Sequence, residues 1–314
     1  MKSFVKTRGI LGMLVMGVGV LMVTAGCAVG GVDEAGRAVK EAAEKIPVDN
    51  IKNTVKGILD NKIYNIDDFG TVFKEGEKIL EGDVEKTVLE SEGVKKLRLD
   101  VGGCEVTFVP SEDEDFWVEA ENVQKFQAYV DGEELHVINT SKEKTISGIN
   151  IKNVKIFLYV PTGFVFDEVK LELGASIVNA DDLAAKTMET KIGAGELKLK
   201  SLQCEVAKFE IGAGDANVKE TSVDKLECKV GAGNFDFEGE LRDDVTVDCA
   251  MGNVRLGLKN NYADFDYELK CAAGNIDLNG KKYAGLSKEE KIDHDAKHDM
   301  KLQCAAGNIM IVFE

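Results

Sequence analysis

Residues able to do chemistry are few in this chain of 314 residues, and their spacing is informative. Apart from Cys27, six cysteines occur: Cys104, Cys204, Cys228, Cys249, Cys271 and Cys304. No C-x-x-C pair exists. Cys249, Cys271 and Cys304 each precede an Ala-x-Gly phrase, at the same position of a repeat. Neighbouring strands would hold them about 4.8 Å apart. That is slightly long for an unstrained bridge between directly stacked β-carbons. The expectation is buried free thiols, with one disulfide as the alternative and metal binding as a remote one. His294 and His298 lie four apart among Asp293, Asp295 and Asp299. On a helix this spacing would offer a divalent metal two imidazoles; in a loop it marks a solvated insertion, which is the expected reading. Glu112-Asp113-Glu114-Asp115 reads as a solvated acidic turn, with a weak calcium site as the alternative. No catalytic, cofactor-binding or metal residue is assigned.

These residues are positioned by a repeat. Leu173-Gly174-Ala175-Ser176 is followed after 19 residues by Ile192-Gly193-Ala194-Gly195. The same step leads to Gly212 and Gly214, then Gly231 and Gly233, then Gly252. Looser copies end at Gly274 and Gly307. Apolar residues alternate on both sides of each phrase, as in Val169, Leu171, Leu173 and in Phe235, Phe237. A period of two means strands with one buried face. A period near 20 over seven copies predicts an all-β, single-chain parallel β-solenoid with roughly seven to eight coils. The glycines are expected to turn corners at positive φ. Asn234, Asn253, Asn275 and Asn308 follow the last glycine of four copies and are expected to stack as an asparagine ladder.

The predicted domains are 1–26, a signal; 27–83, a helical tether or cap; and 84–314, the strand repeats. Regular repeats fill 165–258 and inserted ones 259–314. Lys259 to Tyr267 and Asn279 to Asp299 are read as surface insertions. The last strand runs almost to Glu314, so no cap is evident for that end. Between Val84 and Thr162 the strands are irregular, with an early glycine copy at Gly102-Gly103.

Lys2, Lys6 and Arg8 precede the apolar run Ile10 to Val23, a charge-then-apolar order typical of a secretory signal. The run is shorter than the ~20 residues of a spanning helix. It ends Val23-Thr24-Ala25-Gly26-Cys27, which resembles a bacterial lipobox with Thr24 in place of an aliphatic residue. The resemblance implies cleavage before Cys27 and lipid on its sulfur, with an uncleaved membrane anchor as the alternative. Either outcome places the remainder outside the cytoplasm, on the cell membrane.

The formal net charge is −17, which disfavours nucleic acid or an anionic membrane surface as a direct partner. The stretch Phe166 to Ala175, its following copies and Gly102-Gly103 resemble the bacterial putative-adhesin family of β-strand-repeat proteins, a domain of unknown function. The resemblance covers roughly Leu97 to Phe313. It implies an extracytoplasmic, often membrane-anchored solenoid without a catalytic motif. The glycine phrases also resemble the calcium-binding nonapeptide roll, but a period of 19 and Glu196, Asp215, Asn234, Asn253 after the glycines argue against a calcium ladder. The function expected is a non-catalytic, surface-displayed scaffold anchored to the membrane at Cys27, with an unidentified protein or glycan partner and no cofactor. The alternative is an envelope-stress accessory that senses or sequesters cationic antimicrobial agents. A polysaccharide-active β-helix enzyme is the remote alternative.

Overall fold

A computed structural model of the chain describes residues 73–89, 92–140, 153–284 and 287–314. The expected signal, Cys27 and the two helices expected between Asp33 and Asp60 lie outside the described residues; the last part of the expected helical tether, 73–83, is not helical, and a strand begins within it at Leu80. In chain order the first strands are β1 (Leu80–Val88), β2 (Lys96–Gly102), β3 (Glu105–Ser111), β4 (Trp117–Asp131), β5 (Glu134–Thr140) and β6 (Lys155–Pro161). Then come β7 (Val165–Leu173), β8 (Ile177–Ala180), β9 (Leu183–Ile192), β10 (Glu196–Leu199), β11 (Leu202–Ile211) and β12 (Asp215–Val230). β13 (Asn234–Leu241), β14 (Val245–Cys249) and β15 (Asn253–Leu258) complete the regular repeats. The last strands are β16 (Phe265–Cys271), β17 (Asn275–Leu278), β18 (Lys281–Ala284), β19 (Lys288–Ile292), β20 (His298–Cys304) and β21 (Asn308–Phe313).

The described residues are all-β, apart from a single 3-10 turn at Tyr262–Asp264. Each repeat contributes one strand to each of two parallel ladders. The first ladder runs β5, β2, β7, β9, β11, the second half of β12, β14, β20, β16. The second runs β6, β3, β8, β10, the first half of β12, β13, β15, β21, β17. Alternation in sequence becomes columns in space. Leu173, Ile192, Ile211, Val230, Cys249, Cys304 and Cys271 are successive register partners, all buried. Such columns supply the apolar contact that no single repeat can make alone.

The layers do not stack in chain order at either end. β20 and β21, the last strands of the chain, sit between the layer of β14 and β15 and the layer of β16 and β17. At the other end β2 and β3 lie inside the layer formed by β5 and β6. Each end is closed by antiparallel strands. β4 pairs with both β5 and β6, and β1 pairs with β4. β19 pairs with β16 and β18 with β17. The expectation of an uncapped C-terminal end is therefore corrected: the stretch read as a surface insertion, 279–299, supplies the covering strands. Tyr267, also assigned to an insertion, is 2% exposed and part of the core. An antiparallel strand with exposed lysines, such as Lys281, Lys282 and Lys288 here, discourages further pairing at a sheet edge.

Candidate functional site

The glycine bends are hydrogen-bonded from layer to layer. Asp215 N donates to Gly195 O at 2.9 Å, Asn234 N to Gly214 O at 3.0 Å and Asn253 N to Gly233 O at 3.0 Å. None of Gly174, Gly193, Gly195, Gly212, Gly214, Gly231, Gly233, Gly252, Gly274 and Gly307 has a positive φ. The expected left-handed corner is thus replaced by a different cause. A β-carbon on Gly233 would overlap the Gly214 carbonyl oxygen and lie 2.9 Å from Ile211 Cγ2. On Gly252 it would overlap the Gly233 carbonyl and meet Val230 Cγ1 at 2.7 Å. These glycines are there because two backbones approach closely. Beside them, Asn308 Nδ2 donates to Asn253 Oδ1 (2.9 Å), Asn253 Nδ2 to Asn234 Oδ1 (2.8 Å) and Asn234 Nδ2 to Asp215 Oδ1 (2.6 Å). The row of amides ends on a carboxylate, which can only accept when ionised.

The outer face of the first ladder is a checkerboard of charge. Lys170, Glu189, Lys208 and Glu227 are register partners, as are Glu172, Lys191, Glu210, Lys229 and Asp248. Signs alternate both along each strand and between strands, so this face contributes little net charge. The excess is elsewhere. Residues 81–140 hold 16 acids against 5 bases, a net of −11 out of −17. They include β1 and β4 of the closing layer and the exposed run Glu112 to Asp115 in the bend before β4. Lys86 pairs with Asp113 at 2.9 Å and lies 4.1 Å above the Trp117 ring, which stacks on Tyr159. Burial, then a hydrogen bond to Glu119, raises the Tyr159 phenol.

His294 and His298 have different surroundings. The His294 ring meets Phe265 O at 2.8 Å through Nδ1 and packs edge-on against Tyr262 and Tyr267. His298 opens β20 and places Nδ1 3.2 Å from Asp243 Oδ1. Asp243 and Asp244 belong to the turn before β14, 55 residues away in sequence from His298 and Asp299. That grouping was not legible beforehand, because it depends on the displaced position of β20. Asp243 is held below its ordinary range, first by the Asp244 backbone N–H and then by His298. Asp266 is likewise lowered, by backbone N–H groups of His294 and Ala296.

All six cysteines of the described residues are free and buried. Cys249 and Cys304 donate to the carbonyls of Gly252 (3.1 Å) and Gly307 (3.0 Å). Burial raises Cys104 and Cys204 to about 11. Contact with the Cys249 thiol, together with burial, pushes Cys304 up to about 12.

The Toastrack DUF4097 family model matches residues 94–312. The chain belongs to the Toastrack DUF4097 family. That match begins just before β2 and ends inside β21, so it takes in both displaced layers of this Toastrack chain. No curated protein matches it. Among solved structures it is similar to a putative adhesin of Bacteroides fragilis, at 12% identity and a TM-score of 0.40, over 77% of this chain and 100% of that one. A putative cell adhesion protein of Clostridium sporogenes is 15% identical, with a TM-score of 0.30 over 76% and 100%. A putative lipid binding protein of Parabacteroides distasonis is 12% identical, with a TM-score of 0.45 over 73% and 96%. Among the described residues of this Toastrack chain, no helix is long and apolar enough to cross a membrane.

Proposed function

We propose that this Toastrack chain is a non-catalytic lipoprotein of the cell envelope, anchored by lipid on Cys27, whose repeats wind as a parallel β-solenoid and act as an adhesin-like interaction scaffold. The observation that carries this reading is the pair of continuous parallel ladders. Side chains at equal repeat positions stand in rows one strand apart, and a stack of that kind presents an extended surface to a long partner. The checkerboard keeps one face nearly neutral, so contact there would depend on shape and hydrogen bonds. A second reading draws on the acidic excess in residues 81–140: that region would attract a cationic agent by long-range charge, and salt would weaken the attraction.

The test uses soluble residues 27–314 with Cys27→Ser, offered to matrix proteins, glycans, isolated envelope and cationic peptides at low and physiological salt. Retention on a glycan or protein surface at about 0.15 M salt supports the scaffold. Retention confined to cationic peptides, fading with salt and lost on neutralising Glu112 to Asp115, transfers the assignment to the second reading. Turnover of a polysaccharide would overturn both.

A further inference from the structure

Where the last layer of the chain is slotted beneath the turn before β14, three potential ligands converge. Ligand atoms of Asp243, Asp244 and His298 all lie within 4.8 Å of one another. His298 Nδ1 is 3.2 Å from Asp243 Oδ1, a contact that either a shared proton or a shared metal ion could fill. Adjacent donors on a metal with bonds of ~2.1 Å subtend about that separation. The turn is held on both sides. Asp243 N donates to Asp224 O (2.8 Å), Leu226 N donates to Asp244 O (3.2 Å), and Asp299 N donates to Asp244 Oδ1 (3.0 Å). The neighbouring Arg242 is engaged by Asp224 at 2.7 Å, and Lys297 acts on Asp243 by charge. Asp243 is exposed, and Asp244 and His298 are half-buried. An ion therefore has a route in, and water can complete its coordination.

We infer that Asp243, Asp244 and His298 form a binding site for a divalent transition-metal ion of the zinc, cobalt or nickel class, which ties β20 to the turn before β14. One imidazole nitrogen with two carboxylates favours such ions over magnesium and calcium, whose preferred ligands are all oxygen. Binding uses the neutral imidazole, with the metal in place of the proton at Nδ1. The ion fastens a layer that the chain reaches last but that sits second from the end.

The experiment titrates Zn²⁺ and Co²⁺ into chelator-treated full-length protein in detergent. It reads the unfolding midpoint by calorimetry and the visible Co²⁺ bands. At metal a hundredfold above Kd the midpoint is expected to rise by roughly 5 °C. Mg²⁺ and Ca²⁺ at the same concentration should do nothing. His298→Ala and the near-isosteric pair Asp243→Asn with Asp244→Asn should each abolish the rise and the Co²⁺ bands, whereas His294→Ala should retain both. Absence of any Zn²⁺ effect on the wild type overturns the inference. So does an equal effect in the double Asn variant, which stays informative if His298→Ala fails to fold.

Discussion

A β-carbon is the smallest change this protein can feel. At Gly233 it would occupy the space of the Gly214 carbonyl oxygen, in a bend whose backbone is already hydrogen-bonded to its neighbours. Neither atom can move without separating two layers. Gly233→Ala is expected to destabilise the protein by about 3 kcal/mol or more. At Gly174 the same atom would meet Val101 O at an ordinary 3.5 Å, and Gly174→Ala should cost under about 1 kcal/mol. Urea unfolding of the two variants checks the contrast. Charge acts at the same scale. Asp248 sits in the checkerboard between Lys229 and Gln303. Burial raises its carboxyl, and Lys229 only partly offsets this. A carboxyl raised in the folded state favours folding in acid and loses that contribution as pH rises through its folded value. Asp248→Asn is therefore expected to raise the unfolding midpoint at pH 7 and to leave it almost unchanged near pH 3. A midpoint lowered at pH 7 would contradict the burial argument.

Strands and their columns were largely legible in the amino-acid sequence. Alternation marked Val169, Leu171 and Leu173, and their counterparts in later repeats, as one buried face; the register bears this out. The asparagine row is legible too for Asn234, Asn253 and Asn308, because equal repeat positions must stack; Asn275 is in register with Asn308, but the hydrogen-bonded row runs from Asn308 to the Asp215 carboxylate. The glycines were visible but their reason was not, since a sequence cannot separate a positive φ from a close approach. The grouping of Asp243 and Asp244 with His298 was hidden for another reason. Periodicity tells which residues face inward but not which repeat lies beside which. The thiol column shows the consequence: its order is Cys249, Cys304, Cys271, not the order of the chain. Mutual contact and burial hold Cys271 and Cys304 protonated, and a thiolate is the reactive form. In the Cys27→Ser protein at pH 8, iodoacetamide is expected to label none of the six on the time scale of minutes and all six after denaturation. Rapid labelling of any one in native buffer would show that its strand is not packed as described.

The described repeats are a stack whose two ends follow one logic: an inner layer taken from the chain terminus side, an outer layer next to it, then antiparallel strands across both ladders. That plan solves the edge problem with the chain's own residues. It also separates charge, leaving a balanced face along the ladders and most of the negative excess in residues 81–140. The extended rows, the thiol column and the metal site all depend on the spatial order of the layers. Spin labels on outward positions measure that order. Thr246 is the register partner of Lys301, and Lys301 that of Glu268. Labels at Thr246→Cys and Lys301→Cys should be one strand apart, about 5 Å between backbones, and Thr246→Cys with Glu268→Cys two strands apart, about 10 Å. Stronger dipolar broadening for the 246–301 pair is the predicted result. Stronger broadening for the 246–268 pair would place β16 directly on β14 and contradict the account.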